Sequence, residues 1–268
     1  MDFTHENTFA RDFIPPMTTI TSGIGLEVLP DLFCLPIRIV NVCFVGDPKE
    51  TNEFVLVDAG MPDCADVIMN AARERFGQNC KAKAIILTHG HFDHVGSLIE
   101  LAEAWDVSVY AHRLEMPYVT GKENYPPADS TVDKGLIAKI SPMFPNHGID
   151  AGRWVQPLPA DGTIHELSGW RWLHTGGHTP GHISLYYEED KLLFGADTIY
   201  KHVFGAEGMY ISAPQVSIDP TTAIVSAQRL SKVNFDKLLM AHQDSPLLEG
   251  AKEAVEKLVT ESIQKLKK

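Results

Sequence analysis

Residues 89 to 94 run His89-Gly90-His91-Phe92-Asp93-His94, three imidazoles and a carboxylate within six positions. Neutral imidazole nitrogens and carboxylate oxygens are the donors that divalent transition metals take up, and so short a spacing lets one turn aim several at a point. Further along stand His178, after the pair Gly176-Gly177; Asp197, closing the apolar run 192 to 196; and His242, closing the run 238 to 241. A carboxylate at the end of an apolar run is costly to bury unless a cation meets it, so Asp197 reads as a ligand. His182, four residues after His178, reads instead as a packing or supporting histidine. His5, His112, His147, His165, His174 and His202 show no comparable spacing, and of these only His202 is kept as a candidate.

Donors of this kind need rigid elements to aim them. Apolar runs at 24 to 29, 32 to 37, 39 to 46 and 53 to 60, punctuated by Pro30, Pro36 and Asp47-Pro48, predict a meander of strands. Asp63 is placed as the N-cap of a helix on which Val67, Ile68, Ala71, Ala72 and Phe76 share a face, stopping at Gly77. A buried strand at 84 to 87 leads into a loop at 89 to 94, and Val95, Leu98, Ile99, Ala102 and Trp105 give the next helix its apolar face. The donors therefore sit at a strand's carboxyl end. After a strand at 107 to 111 comes an excursion over 112 to 153, rich in Pro, Gly, Tyr and Met, with at most one helix near 134 to 140. So long an excursion predicts a lid or substrate wall.

Strands are expected at 163 to 167, 170 to 174, 183 to 187 and 191 to 195, the last pair turning at Glu189-Asp190. Helices near 220 to 232 and 249 to 267 then flank a strand at 237 to 241. Strands followed by mixed α/β, twice over, predict an α/β chain of two sheets packed face to face with helices outside, in one domain over 1 to 268.

The ordered strings His89 to His94, His174-Thr175-Gly176-Gly177-His178-Thr179-Pro180-Gly181-His182, Gly195-Ala196-Asp197 and Ala241-His242 resemble the motifs of the metallo-β-lactamase superfamily across residues 55 to 242. The resemblance implies a four-layer αββα sandwich of two mixed β-sheets. It implies two divalent ions, Zn²⁺ first, with Mn²⁺, Fe²⁺ or Co²⁺ compatible with the same donors. His89, His91 and His178 would hold one ion, Asp93, His94 and His242 the other, and Asp197 both; Asp58 matches the family's acidic position beside the ligands. A hydroxide bridging the ions would then attack, oriented by Asp93. Tyr200, three residues after Asp197, resembles in spacing the tyrosine of quorum-quenching lactonases, which positions or protonates substrate; packing is the alternative reading.

His94, where the best-known secreted β-lactamases carry Arg, together with Asp197, disfavours antibiotic hydrolysis. After His242 only one amphipathic helix follows, with no sign of the glutathione-binding extension of glyoxalase II. A lactone or other carboxylic ester is therefore the expected substrate. A thioester hydrolase, a single-iron persulfide dioxygenase and a binding protein with a structural metal are the alternatives.

Composition bounds the rest. Of 268 residues 44% are hydrophobic and 22% charged, ordinary globular usage. A formal charge of −12 argues against nucleic acid as partner and leaves a small molecule. No run approaches the roughly 18 apolar residues of a membrane span. The start of the chain lacks a basic segment followed by an apolar one, so no signal peptide is expected and the cytoplasm is the default. Cys34, Cys43, Cys64 and Cys80 show no CxxC spacing and read as reduced thiols. A homodimer is compatible with all of this.

Overall fold

Extended, β-branched segments near the amino end pair as an antiparallel meander: β1 (Leu26–Leu29), β2 (Leu32–Ile37), β3 (Val40–Val45) and β4 (Glu53–Val57). This is seen in a computed structural model, which describes residues 9, 12 to 132, 136 to 201, 208 to 242 and 246 to 266. The direction then changes. β5 (Lys81–Ile86), β6 (Val109–Ala111) and β7 (Val155–Pro157) add in parallel, giving a seven-stranded mixed sheet in the order β1-β2-β3-β4-β5-β6-β7. Parallel neighbours require crossovers, and α1 (Ala65–Phe76), α2 (Phe92–Val95) and α3 (Leu98–Trp105) supply the first two.

A second, five-stranded mixed sheet contains β8 (Trp170–His174), β9 (Ile183–Tyr187), β10 (Leu192–Ala196), β13 (Lys237–Met240) and β14 (Leu247–Leu248), in the order β14-β13-β10-β9-β8. Between β10 and β13 the chain makes a separate ribbon, β11 (Ile199–Lys201) with β12 (Met209–Ile211), and the helix α6 (Pro220–Leu230). The last helix is α7 (Ala251–Leu266).

Strand alternation explains how the layers stack. Leu185, Leu192, Phe194 and Leu239 join one continuous core with the first sheet, while Tyr186, Leu193, Leu238 and Met240 point the other way and pack with Ala227 and Leu230 of α6 and Val255 and Val259 of α7. On the first sheet Phe44 and Phe54 meet Phe76 of α1, and Phe54 meets Trp105 of α3 edge-on. All six residues of β3 are buried, as befits a strand covered on both faces. No helix among the described residues is long and apolar enough to cross a membrane.

Several expectations are corrected. Asp63 has φ +61, outside the extended region an N-cap requires; α1 starts at Ala65 after Cys64, with no side-chain cap. Residues 92 to 94 of the expected metal loop, with Val95 of the helix expected after it, form the one-turn helix α2, and α3 starts only at Leu98. The excursion holds more than one helix: α4 (Met116–Val119), α5 (Leu136–Ile140) and a 3-10 turn at Ser141–Met143. Residues 163 to 167 form no strand, because only Thr163 bridges to Arg171 before the chain turns. His5, His202 and residues 133 to 135 lie outside the described residues.

Where β6 and β8 end, the rings of His112 and His174 stack at 4.4 Å and 7°, with Trp172 edge-on to His112 at 5.3 Å. Burial, then the neighbouring His174 and Arg113, bring the His112 imidazole down from 6.5 to about 4. The unfolded chain therefore takes up a proton that the folded chain refuses. This penalty is absent above about pH 6.5 and grows as pH falls towards 4, reaching on the order of 2 kcal/mol by pH 5. His112→Phe should remove that part of the acid destabilisation. Urea midpoints at pH 7.5 and 5 should lie closer together in the variant than in the parent, and an unchanged difference would refute the assignment.

Candidate metal centre

Each donor stands at the end of a strand or on the turn that follows one. After β5 the chain passes through Thr88 and His89 into α2, where the His94 and Val95 amides both donate to the His91 carbonyl (2.9 and 3.1 Å) and wind three donors onto one turn. Gly96 follows because nothing larger fits: a Cβ there would lie 2.2 Å from the Pro62 nitrogen and 2.4 Å from the Met61 carbonyl carbon. The turn is sewn to the end of β4 by Ala59 N–H to His94 O (2.7 Å) and Gly96 N–H to Gly60 O (2.8 Å).

His178 is brought in by a similar squeeze. Gly177 has φ +127, and a Cβ on it would lie 2.2 Å from the Ala223 nitrogen at the start of α6. Asp197 follows β10, and His242 follows β13, whose end is tied to β3 by Asn41 N–H to Ala241 O (2.8 Å) and Asn41 Nδ2 to Met240 O (3.1 Å).

These donors converge in two triads. His91 Nδ1 lies 3.1 Å from His89 Nε2 and 2.9 Å from His178 Nε2, which closes one triad. The second triad is Asp93, His94 and His242: Asp93 Oδ2 is 4.0 Å from His94 Nε2 and 3.6 Å from His242 Nε2, and the two imidazole nitrogens are 3.4 Å apart. Asp197 reaches both, with Oδ2 at 3.3 Å from His178 Nε2 and 3.1 Å from His242 Nε2, and Oδ1 at 3.5 Å from His94 Nε2.

The far side of each ring fixes which nitrogen keeps a lone pair for a cation. His94 Nδ1 faces Asp58 Oδ2 at 2.8 Å; a carboxylate only accepts, so Nδ1 carries a proton and Nε2 is the nitrogen turned to the cluster. Thr88 donates its hydroxyl to Asp58 Oδ2 (2.8 Å) and accepts from His89 Nδ1 (3.1 Å). His242 Nδ1 donates to the Ile39 carbonyl (2.8 Å), and His178 Nδ1 to Ser212 Oγ (3.1 Å). Asp58 holds this post at φ +60, a strained position for a residue with a side chain.

The cluster fits a cation on two counts. Asp197 Oδ1 is buried and has no hydrogen-bond partner among the described residues, which is costly for an ionised oxygen in the absence of a positive neighbour. The donors, mixed nitrogen and oxygen without thiolate, suit a borderline divalent ion. Burial, reinforced by neighbouring imidazoles, drives His89 and His178 well below the usual imidazole range, and burial brings His91 down to about 4, so this triad is neutral. At His94 burial works against the charged form, yet Asp58, Asp197 and Asp93 outweigh it and raise the imidazole to about 10, so without a cation Nε2 holds a proton towards Asp197, and a metal ion would take that proton's place.

His182 contributes no lone pair. Its Nε2 accepts the Asp197 backbone N–H (3.1 Å) and its Nδ1 faces Thr175 Oγ1 (2.9 Å), so it positions Asp197.

No spacing in the sequence points to Glu115. Fully buried just before α4, its Oε1 accepts from Thr179 Oγ1 (2.7 Å) and Gly181 N–H (2.6 Å), and its Oε2 from Gly90 N–H (3.1 Å) and the Tyr125 hydroxyl. One carboxylate thus joins both ligand-bearing turns to the excursion. A single acid in a loop has no spacing to betray it.

Five of the donors, His91, Asp93, His178, Asp197 and His242, form the floor of a cleft of about 520 Å³, walled by the excursion on one side and by residues 210 to 218 on the other. Tyr200 lines it beside Asp197 and His242, its ring 6.4 Å from that of His242. Burial foremost, then the charge of Asp197, keep its phenol protonated well past the usual range.

The profile of the metallo-β-lactamase superfamily matches residues 35–242. The chain is 52% identical over 184 residues to Probable metallo-hydrolase YflN of Bacillus subtilis, covering 69% of this chain and 70% of that one. It is 28% identical over 230 residues to a hydroxyacylglutathione hydrolase of Bdellovibrio bacteriovorus, covering 83% and 77%. Among solved structures, the metallo-β-lactamase family protein TTHA1429 of Thermus thermophilus superposes with a TM-score of 0.60 at 22% identity, covering 90% and 82%. TTHA1623, solved in a di-iron-bound form, superposes with a TM-score of 0.52 at 28% identity, covering 80% and 92%.

Proposed function

We propose a substrate and a division of labour for this chain, which belongs to the metallo-β-lactamase superfamily and is a metal-dependent hydrolase by its relatives and its donor cluster. The substrate is a lactone or other carboxylic ester. The observation that carries the reading is the placement of Asp197 against both triads on the floor of a largely apolar cleft, with Tyr200 beside it. Two divalent ions, zinc first, would be held by His89, His91 and His178 on one side and Asp93, His94 and His242 on the other, with Asp197 shared. Such ions supply Lewis acidity and an activated water near neutral pH.

The chain's own groups do the rest. Asp93, facing the cleft, accepts a hydrogen bond from the attacking water and aims it. Asp58 and Thr88 hold His94 and His89 with Nε2 turned to the cluster, and His182 holds the Asp197 backbone. The Tyr200 phenol, a donor, faces the cleft where the ester oxygens collect charge. Tyr200→Phe should lower kcat about 10- to 100-fold while metal content and KM stay within twofold. An unchanged kcat would return Tyr200 to packing.

The deciding experiment is elemental analysis of protein purified without chelator, alongside turnover of lactone, ester, thioester and phosphodiester substrates. Close to two zinc-like ions per chain with lactone or ester turnover is the expected result. Absence of any lactone or ester turnover by metal-loaded protein would overturn the reading. The thioester alternative draws on the similarity to a hydroxyacylglutathione hydrolase, and thioester turnover alone would establish it. One iron per chain, with oxygen consumed in the presence of a persulfide, would make the protein a dioxygenase.

A further inference from the structure

We propose that the substrate is uncharged and apolar beyond its scissile bond, and that the cleft turns away acyl groups carrying a distal carboxylate; this rests on the ester reading above. Away from the donor cluster the wall is built from side chains such as Phe92, Phe144, Ile211 and Val216, with prolines at 126, 127, 145 and 214. Its volume, about 520 Å³, falls within the range of small-molecule sites. At the mouth, Val132, Tyr210 and Ile218 stand 49%, 39% and 39% exposed, so water already touches an apolar collar that a ligand would cover.

The charges point the same way. Among the described lining residues there is no lysine or arginine, and the charged side chain outside the donor cluster is Asp129. Its Oδ1 accepts from the Thr131 amide (2.9 Å) and hydroxyl (2.6 Å), which fixes an anion at the rim. A distal carboxylate entering here would give up water for an apolar wall and find no counter-charge among the described lining residues. The net charge of −12 adds repulsion at a distance. An alkyl chain, by contrast, gains up to about fourfold in binding per buried methylene.

The test uses the metal-loaded full chain with p-nitrophenyl acetate, butyrate and hexanoate, and with the p-nitrophenyl half-ester of adipic acid, which matches the hexanoate in length but ends in a carboxylate. Expected is a kcat/KM that rises about two- to fourfold per methylene, and an adipate at least about tenfold below the hexanoate. Ile218→Arg, at an exposed position, should narrow that last gap to about threefold. In parallel, calorimetry compares octanamide with its ω-carboxylate as ligands that are read without turnover. A flat neutral series, or an adipate equal to the hexanoate, would overturn the inference and leave the hydrolase intact. If no ester is turned over, yet octanamide binds at least about tenfold tighter than its carboxylate, the ester reading fails and the cleft's preference stands. Equal binding of the two amides overturns the inference whatever the turnover.

Discussion

Asp197→Ala is expected to lower turnover by about a thousandfold or more, equivalent to about 4 kcal/mol of transition-state stabilisation, and to leave the chain with less than its full complement of metal. The reason is its place between the two triads: Oδ2 lies 3.3 Å from His178 and 3.1 Å from His242, and Oδ1 3.5 Å from His94. Burial raises the cost of its charge, but His242, His94 and His178 overcome it and hold the carboxyl well below the usual range. Removing the group takes a shared ligand from both corners and leaves five imidazoles crowded round a single carboxylate, Asp93. Elemental analysis and turnover should be read on the same preparation, with circular dichroism to show that the fold persists. Full metal content and turnover within tenfold of the parent would remove Asp197 from the centre.

Glu115→Ala is expected to cost about 3 to 5 kcal/mol of folding stability, a large share of what a domain possesses. Four donors lose a partner at once, the amides of Gly90 and Gly181 and the hydroxyls of Thr179 and Tyr125, with the Gly90 amide keeping the Tyr125 oxygen at 3.1 Å, and Glu115 itself is fully buried. Glu115→Gln should fall between the two, because its amide keeps one accepting oxygen but turns an NH₂ towards donors. Urea denaturation of chelator-treated protein separates this effect from loss of metal. A change below about 1 kcal/mol in the alanine variant would show that those donors find other acceptors.

Legibility in the sequence followed the range of the interaction. The residues at 89, 91, 93 and 94 lie within six positions, so spacing alone made them candidates, and Asp197 and His242 stood out by closing apolar runs. The layered sheets were readable because β3, β4 and β10 are long and apolar. The three-residue β7 was not, since it ends in Pro157 and exists only through parallel pairing with β6. Residues 163 to 167 misled for the opposite reason. Ile164 and Leu167 are buried with strand-like chemistry, but turns at Gly162 and Gly169, both at positive φ, fold the segment back on itself. Asp63 has the composition of a cap and the backbone of a left-handed turn. Glu115 depends on partners as far away in the chain as Gly181, and no local pattern encodes that.

The two corners of the centre are braced from different places. His94 and His242 lean on Asp58 and the Ile39 carbonyl, parts of the first sheet's framework. His178 leans on Ser212, itself bonded to Ser217, and His91 packs edge-on against Tyr125, all side chains of the cleft wall. Reshaping the wall for a new substrate would therefore disturb the supports of His178 and His91 more than the support of His94. Change of substrate and retention of metal would be coupled on that side of the centre, while the His94–Asp58 pair stands apart from the residues of the wall.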